Sequence, residues 1–123
     1  MIASRQWLQR ASAGLLGLGL AAATNLPVSA ATARCVVRLS GRTVFDNACD
    51  FRQFSGNGSF TINAFGNNTI ASYSVISVSI VSPGVAEVRG LTFDGINSRW
   101  GVAQRSSRDN ACWIDDDFQI CAY

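Results

Sequence analysis

The sequence predicts a small all-β domain, an antiparallel sandwich or barrel of about seven to eight strands, stapled by two disulfides and preceded by a signal peptide. Three observations predict it. From Cys35 onward, short alternating apolar runs are broken by Gly, Asn, Asp, Ser and Pro, the texture of strands and tight turns. Four cysteines, Cys35, Cys49, Cys112 and Cys121, fit a disulfide framework. Ahead of them, Arg5 and Arg10 charge a leader whose apolar stretch "ASAGLLGLGLAAA" runs into "NLPVSAATA", the small-x-small pattern of a signal-peptidase site.

The predicted organisation is residues 1–33 as signal peptide and 34–123 as one disulfide-stabilised β domain. Ala31-Thr32-Ala33 gives the expected cut after Ala33, with Ala30 as a second site. The leader's apolar run falls short of the roughly 18–20 residues that cross a bilayer, so no membrane span is expected after its removal. Two of the ten arginines, Arg5 and Arg10, belong to the leader, which leaves eight against eight acids. A neutral domain has no overall field to draw it to nucleic acid or an anionic surface. Ninety or so residues bury only about 60–65 per cent of their unfolded surface, so covalent staples are expected.

The strands follow in order. "CVVRL" and "RTVFDNACDF" flank Ser40-Gly41, a first hairpin. Gly56-Asn57-Gly58 turns the chain into "SFTINA", which sets Phe60, Ile62 and Ala64 on one face. "NTIASYSVISVSIV" is expected as the longest strand. Its apolar phase slips by one between Val75 and Ile76, and a period of two makes such a slip the mark of a β-bulge. Ser82-Pro83-Gly84 turns into "VAEVRGLTF", Asp94-Gly95 makes another hairpin turn, and "RWGVAQ", "ACWI" and "FQICAY" complete the set.

Four cysteines allow three pairings, and symmetry favours one. Cys112 and Cys121 lie evenly about Asp116-Asp117, and Cys35 and Cys49 evenly about Arg42, so hairpins centred there bring each pair to disulfide distance. The expected bonds are Cys35–Cys49 and Cys112–Cys121. Asp115-Asp116-Asp117 then reads as a solvated hairpin tip. Calcium, which prefers carboxylate oxygens, is the alternative, but three adjacent residues rarely aim at one point.

The composition removes several chemistries. With no histidine and no lysine, a serine nucleophile lacks its usual base, and oxidised cysteines leave no thiolate. No CxxC pair or histidine builds a zinc site, and no glycine-rich loop cradles a phosphate. No metal, cofactor or catalytic residue is therefore expected. The acids Glu87, Asp94 and Asp109 leave a carboxylate-dependent glycan hydrolase as an alternative, although their spacing marks no pair. Asn57-Gly58-Ser59 and Asn67-Asn68-Thr69 match the glycosylation sequon at the rate a chain rich in Asn and Ser produces unaided.

The segment "DGINSRWGVAQRSSRDN" gathers arginines around a tryptophan, a composition favoured where proteins bind one another. Residues 97–108 are expected to form a contact loop, with Asn97, Ser98, Arg99, Trp100, Arg105 and Arg108 as its binding residues. The competing reading puts Trp100 in the core and pairs the arginines with nearby acids.

"GSFTI", "SRWGVAQRSSRDNACW" and "ICAY" resemble a group of small exported bacterial proteins of unknown function, which share a Gly-Ser-Phe strand, an Ala-Cys-Trp and a terminal Ile-Cys-Ala. That likeness covers most of the domain and implies structure rather than catalysis. The chain is also faintly similar to periplasmic inhibitors of c-type lysozyme, disulfide-linked β-barrels that offer a Ser- and Arg-bearing loop to an acidic cleft. Ser98 and Arg99 match that loop loosely, and its Ser-Gly-x-Arg-Tyr motif is absent. The expectation is a periplasmic or extracellular binding module rather than an enzyme, its partner an extracytoplasmic protein or glycan. The alternatives are a lysozyme-inhibitor-like protein and a glycan hydrolase.

Overall fold

The computed structural model describes residues 30–123. The predicted leader lies outside them as far as residue 29. The strands are β1 (Ala30–Leu39), β2 (Arg42–Phe54), β3 (Ser59–Ala64), β4 (Val75–Ser82), β5 (Val85–Leu91), β6 (Asn97–Arg105), β7 (Cys112–Ile114) and β8 (Phe118–Ala122). Each is antiparallel to the next and β8 returns to β1, so the eight close a barrel rather than a sandwich. β1 opens four residues ahead of the predicted mature start, and Ala30–Ala33 pair with Arg52–Cys49.

Tight turns make this meander possible. Ser40 and Gly41, at φ 51° and 80°, form the predicted two-residue hairpin between paired Leu39 and Arg42. Asn57 folds the next turn: its side-chain oxygen accepts the Ser59 N–H at 3.0 Å and its amide donates to the Ile80 carbonyl at 3.3 Å. Ser59 is a buried polar residue, and its hydroxyl oxygen accepts the Ile80 N–H at 2.8 Å.

One predicted element is corrected. The segment 68–81 is not a single strand with a bulge at its phase slip. Ile70 and Tyr73 exchange backbone hydrogen bonds of 2.8 and 2.9 Å across Ala71 and Ser72, which sit at φ 52° and 75°, and β4 begins only at Val75. The apparent slip between Val75 and Ile76 falls where the register of β4 runs on unbroken; the chain reverses earlier, at Ala71-Ser72, so Ala71 and Tyr73 do not belong to that strand's alternation. True bulges lie at other positions, one of them Val81 of β4, unpaired between Ile80↔Ala86 and Ser82↔Val85. Val44 is the unpaired residue between Val37↔Phe45 and Arg38↔Thr43, and Trp100 is the one between Val88↔Gly101 and Arg89↔Arg99.

Inward positions fill the barrel. Val37, Ile62, Ile76, Val78, Val88, Trp113 and Ile120 are fully or almost fully buried, so the interior is core rather than a cup, as an eight-stranded barrel allows. Near one end Gly90 lets Tyr73 reach the strand, for a Cβ at Gly90 would stand 2.5 Å from the Tyr73 ring. Tyr73, Trp100 and Phe118 then meet edge to face at centroid distances of 5.4 and 5.6 Å, closing that end.

Both predicted disulfides form, in different settings. Cys35 and Cys49 are inward and fully buried; the hairpin turns at Ser40-Gly41 rather than about Arg42, which leaves them diagonal, and the bulge at Val44 restores their shared inward face, with Cα atoms 5.8 Å apart. Cys112 and Cys121 are directly opposed across β7 and β8, Cα atoms 4.0 Å apart, and lie outside the core cluster. In chain-entropy terms, loops spanning 14 and 9 positions contribute on the order of 3 kcal/mol each.

Since left-handed backbone is costly for Ala and Ser, replacing Ala71-Ser72 by Asn-Gly is expected to stabilise the protein by about 1 kcal/mol and raise its thermal midpoint by roughly 4–8 °C. A lower midpoint in a melting scan contradicts the assigned turn.

Candidate functional site

With the interior packed, recognition falls to the outer surface. A groove of about 880 Å³ lies there over β6, β7 and β8. Its floor carries Val102 and Ile114, 42 and 39 per cent exposed, with Gln104 and Gln119 beside them. The Gln119 amide also donates to the Cys121 sulfur at 3.2 Å, which ties the floor to the outer disulfide.

The loop from Ser106 to Ala111 forms one wall, and its own polar groups fix it. The Ser106 hydroxyl oxygen accepts the N–H groups of Arg108 and Asp109 at 3.1 and 3.2 Å. Asp109 accepts the Ala111 N–H at 3.0 Å on one oxygen and the Tyr123 hydroxyl at 2.7 Å on the other. These bonds hold its carboxyl below the usual carboxylate range, the Tyr123 hydroxyl being the larger cause, while Asp109 in turn pushes the Tyr123 phenol up. At the other end of the groove stand Asp115 and Asp116. Among the described residues, neither they nor Arg108 enters an ion pair.

The predicted contact loop is corrected in part. Residues 97–105 are strand β6, and only 106–111 are loop. The strand expected at "RWGVAQ" is present and runs from Asn97 to Arg105, with a bulge at Trp100 that breaks its alternation. The six predicted binding residues therefore do not converge. At a rise of about 3.3 Å per strand residue, Arg99 and Arg105 stand roughly 20 Å apart. Arg99 donates to Glu87 at 2.6 Å, and Arg89 lies 3.5 Å from the same carboxylate, so Arg99 is already engaged. Trp100 packs between Tyr73 and Phe118, as the competing reading had it. Asn97 is exposed at the start of β6, whereas Ser98 is half-buried opposite Gly90. Arg105 places its guanidinium 5.0 Å from the centre of the Trp113 ring, capping the core at the far end. Of the six, only Arg105 and Arg108 line the groove.

The floor residues Val102, Gln104, Ile114 and Gln119 were not singled out by sequence. Their one signal is that Val102 and Ile114 are apolar at outward positions, which becomes visible only once the bulge fixes the parity. Asp115–Asp117 form the β7–β8 turn as predicted, with the Asp115 N–H donating to the Phe118 carbonyl at 2.9 Å. Among the described residues no three acidic, cysteine or histidine side chains gather at metal-binding distance. The three acids weighed for hydrolysis are dispersed. Glu87 is bound by arginines on the outer face of β5, Asp94 accepts from Thr92 in the β5–β6 turn, and Asp109 is held by Tyr123.

Comparison with known protein families, with curated proteins and with solved structures yields no match.

The carboxyls of Asp46, Glu87 and Asp109 all lie below their ordinary values, chiefly through hydrogen bonds from Arg34, Arg99 and Tyr123. A depressed folded-state value contributes stability that is complete above the unfolded value, near 4, and is lost as pH falls through the folded one. Tyr123, shifted upward, contributes stability that is present below about 10 and is lost as pH rises through its folded value. Thermal midpoints recorded across pH are therefore expected to be flat near neutrality and to fall at both extremes. In Tyr123→Phe the alkaline fall attributable to this phenol should disappear and the acid limb should weaken. An unchanged alkaline limb contradicts the assignment.

Proposed function

We propose that the protein is an exported, non-catalytic binding module whose contact surface is the groove over β6, β7 and β8. The observation that carries this reading is the groove itself: exposed Val102 and Ile114 on its floor, uncommitted Arg108 on one wall and Asp115 and Asp116 at the other end. Exposed apolar residues rimmed by uncommitted charge are the anatomy of a recognition surface. A loop braced by Ser106, Asp109 and Tyr123 presents it without a large ordering cost on binding.

Export fits the two disulfides, which persist in oxidising, extracytoplasmic surroundings. Leader cleavage after Ala30 suits the fold better than cleavage after Ala33, because Ala31–Ala33 pair with β2 and Ala33 packs on the core. The hydrolase alternative is less well supported. A glycosidase acid needs a raised pKa, and Glu87 and Asp109 are both shifted downward. The lysozyme-inhibitor alternative asks for a presented Ser–Arg loop, whereas Ser98 and Arg99 lie in a strand with Arg99 bound to Glu87.

Affinity capture from extracytoplasmic extract, with the oxidised protein as bait, tests the reading. Ile114→Asp and Arg108→Glu are expected to lose the captured partner while melting like the wild type, and Arg52→Glu, remote from the groove, should retain it. Capture indifferent to Ile114→Asp and Arg108→Glu, or turnover of a glycan panel that vanishes in Glu87→Gln or Asp109→Asn, refutes it.

A further inference from the structure

The barrel closes unevenly. β6 is nine residues long and β7 only three, and their ladder holds two pairs, Gln104↔Ile114 and Arg105↔Trp113. Beyond Ile114 the chain turns away at Asp115 into β8. Asn97–Ala103 of β6 therefore has no strand partner on the β7 side among the described residues.

The direction of each backbone group follows from the bonds at either end. The Arg105 N–H donates to the Gly84 carbonyl and the Ser106 N–H to the Cys112 carbonyl, so odd residues here face β5 and even ones face β7. Val102 thus turns its N–H and C=O to the open side. Across the bulge at Trp100 the parity inverts. The Leu91 carbonyl accepts the Ser74 N–H, so Leu91 and Arg89 face β4, and their partners Asn97 and Arg99 face the open side as well. Three residues, Asn97, Arg99 and Val102, present backbone donors and acceptors with no protein partner among the described residues. Such an edge is a template for a further strand.

Two neighbours give the edge a preference. The Asp115 carboxylate lies beside it: its Oδ2 stands 3.7 Å from where a Gly101 Cβ would be. Asp116 and Asp117 follow in the same turn, and among the described residues none of the three enters an ion pair. At the far end of the edge the β5–β6 turn exposes Phe93 and Ile96, at 67 and 57 per cent. A second copy of this chain would bring no free cation to the aspartates from its own edge, where Arg99 is held by Glu87.

We infer that the open edge of β6 takes an extended, basic peptide segment of a partner as an added strand, its backbone pairing with Asn97, Arg99 and Val102 and its cationic side chains meeting the Asp115–Asp117 turn. This is strand addition, in which main-chain bonds give affinity and flanking side chains give selectivity. The inference rests on the binding-module reading and names its partner class.

The test uses the oxidised, isotope-labelled protein and a synthetic peptide of about eight residues alternating Arg and Val, a length matched to strand addition. Titration is expected to shift the Asn97, Arg99 and Val102 amides and slow their exchange with solvent. Methylating alternate peptide nitrogens should weaken binding about tenfold or more, since each lost bond leaves a buried acceptor unpaired. Asp115, Asp116 and Asp117 changed together to Asn should weaken it and flatten its salt dependence. Arg99→Pro removes one edge N–H and should bind less than Arg99→Ala, which loses the same side chain and keeps the N–H. Equal binding of the methylated peptide, equal binding of a Glu-Val peptide, or shifts confined to other strands overturns the inference. So does concentration-dependent protection of these amides without peptide, which makes a second copy the occupant. If the peptide fails while affinity capture still depends on Ile114 and Arg108, this inference falls and the groove reading stands.

Discussion

Three residues, Cys112 to Ile114, carry the closure of the whole barrel. A strand that short forms two pairs with β6 and three with β8, too little ladder to hold a seam against the conformational entropy it restrains. The Cys112–Cys121 bond supplies what the ladder lacks. It fastens β7 to β8, and β8 is secured to β1 by a five-residue register. Arg105 over Trp113, the Ser106 N–H on the Cys112 carbonyl and Tyr123 on Asp109 brace the same joint from outside. The inner bond between Cys35 and Cys49 has a different task, for it anchors the long β1–β2 hairpin to the core.

The seam also decides where recognition can occur. A barrel of eight strands and about ninety residues fills its interior with Val, Ile and Trp and leaves no lumen to a ligand. What remains is the outside, and there the short β7 creates both surfaces of interest. Its loop stands over the groove at one end. At the other, its early turn into β8 strips β6 of a partner. Charge is distributed to match. Arg34, Arg52, Arg89 and Arg99 are bound to acids on their own strand or on a neighbouring strand, whereas Arg108 and the Asp115–Asp117 turn at opposite ends of the seam are free among the described residues.

Much of the fold was legible from particular residues. Ser40-Gly41, Gly56-Asn57-Gly58 and Asp94-Gly95 placed hairpins because their glycines take left-handed backbone without steric cost. The cysteine symmetry placed both disulfides, even though a hairpin turned at Ser40-Gly41, ahead of Arg42, sets Cys35 and Cys49 diagonally rather than face to face. Three features escaped. Ala71 and Ser72 reverse the chain in left-handed backbone without a glycine, so the segment ahead of β4 reads in sequence as part of the strand. The strand at "RWGVAQ" was legible, but the bulge at Trp100 was not, and it hid the parity that puts Val102 outward. The end of β7 was legible in "ACWI", but not that its ladder with β6 holds only Gln104↔Ile114 and Arg105↔Trp113, since pairing between strands is not encoded in periodicity. The candidate site was legible only at Arg105, Arg108 and the aspartates, because a groove is a relation between strands distant in sequence.

Amide hydrogen exchange, read residue by residue on the oxidised protein, tests the uneven closure most directly. The account predicts alternation along β6: slow exchange at Ser98, Gly101 and Ala103, which face β5, and fast exchange at Asn97, Arg99 and Val102, which face the gap. Uniform protection of all six amides at every protein concentration would mean that β6 is paired on both sides and that the seam is closed along its length.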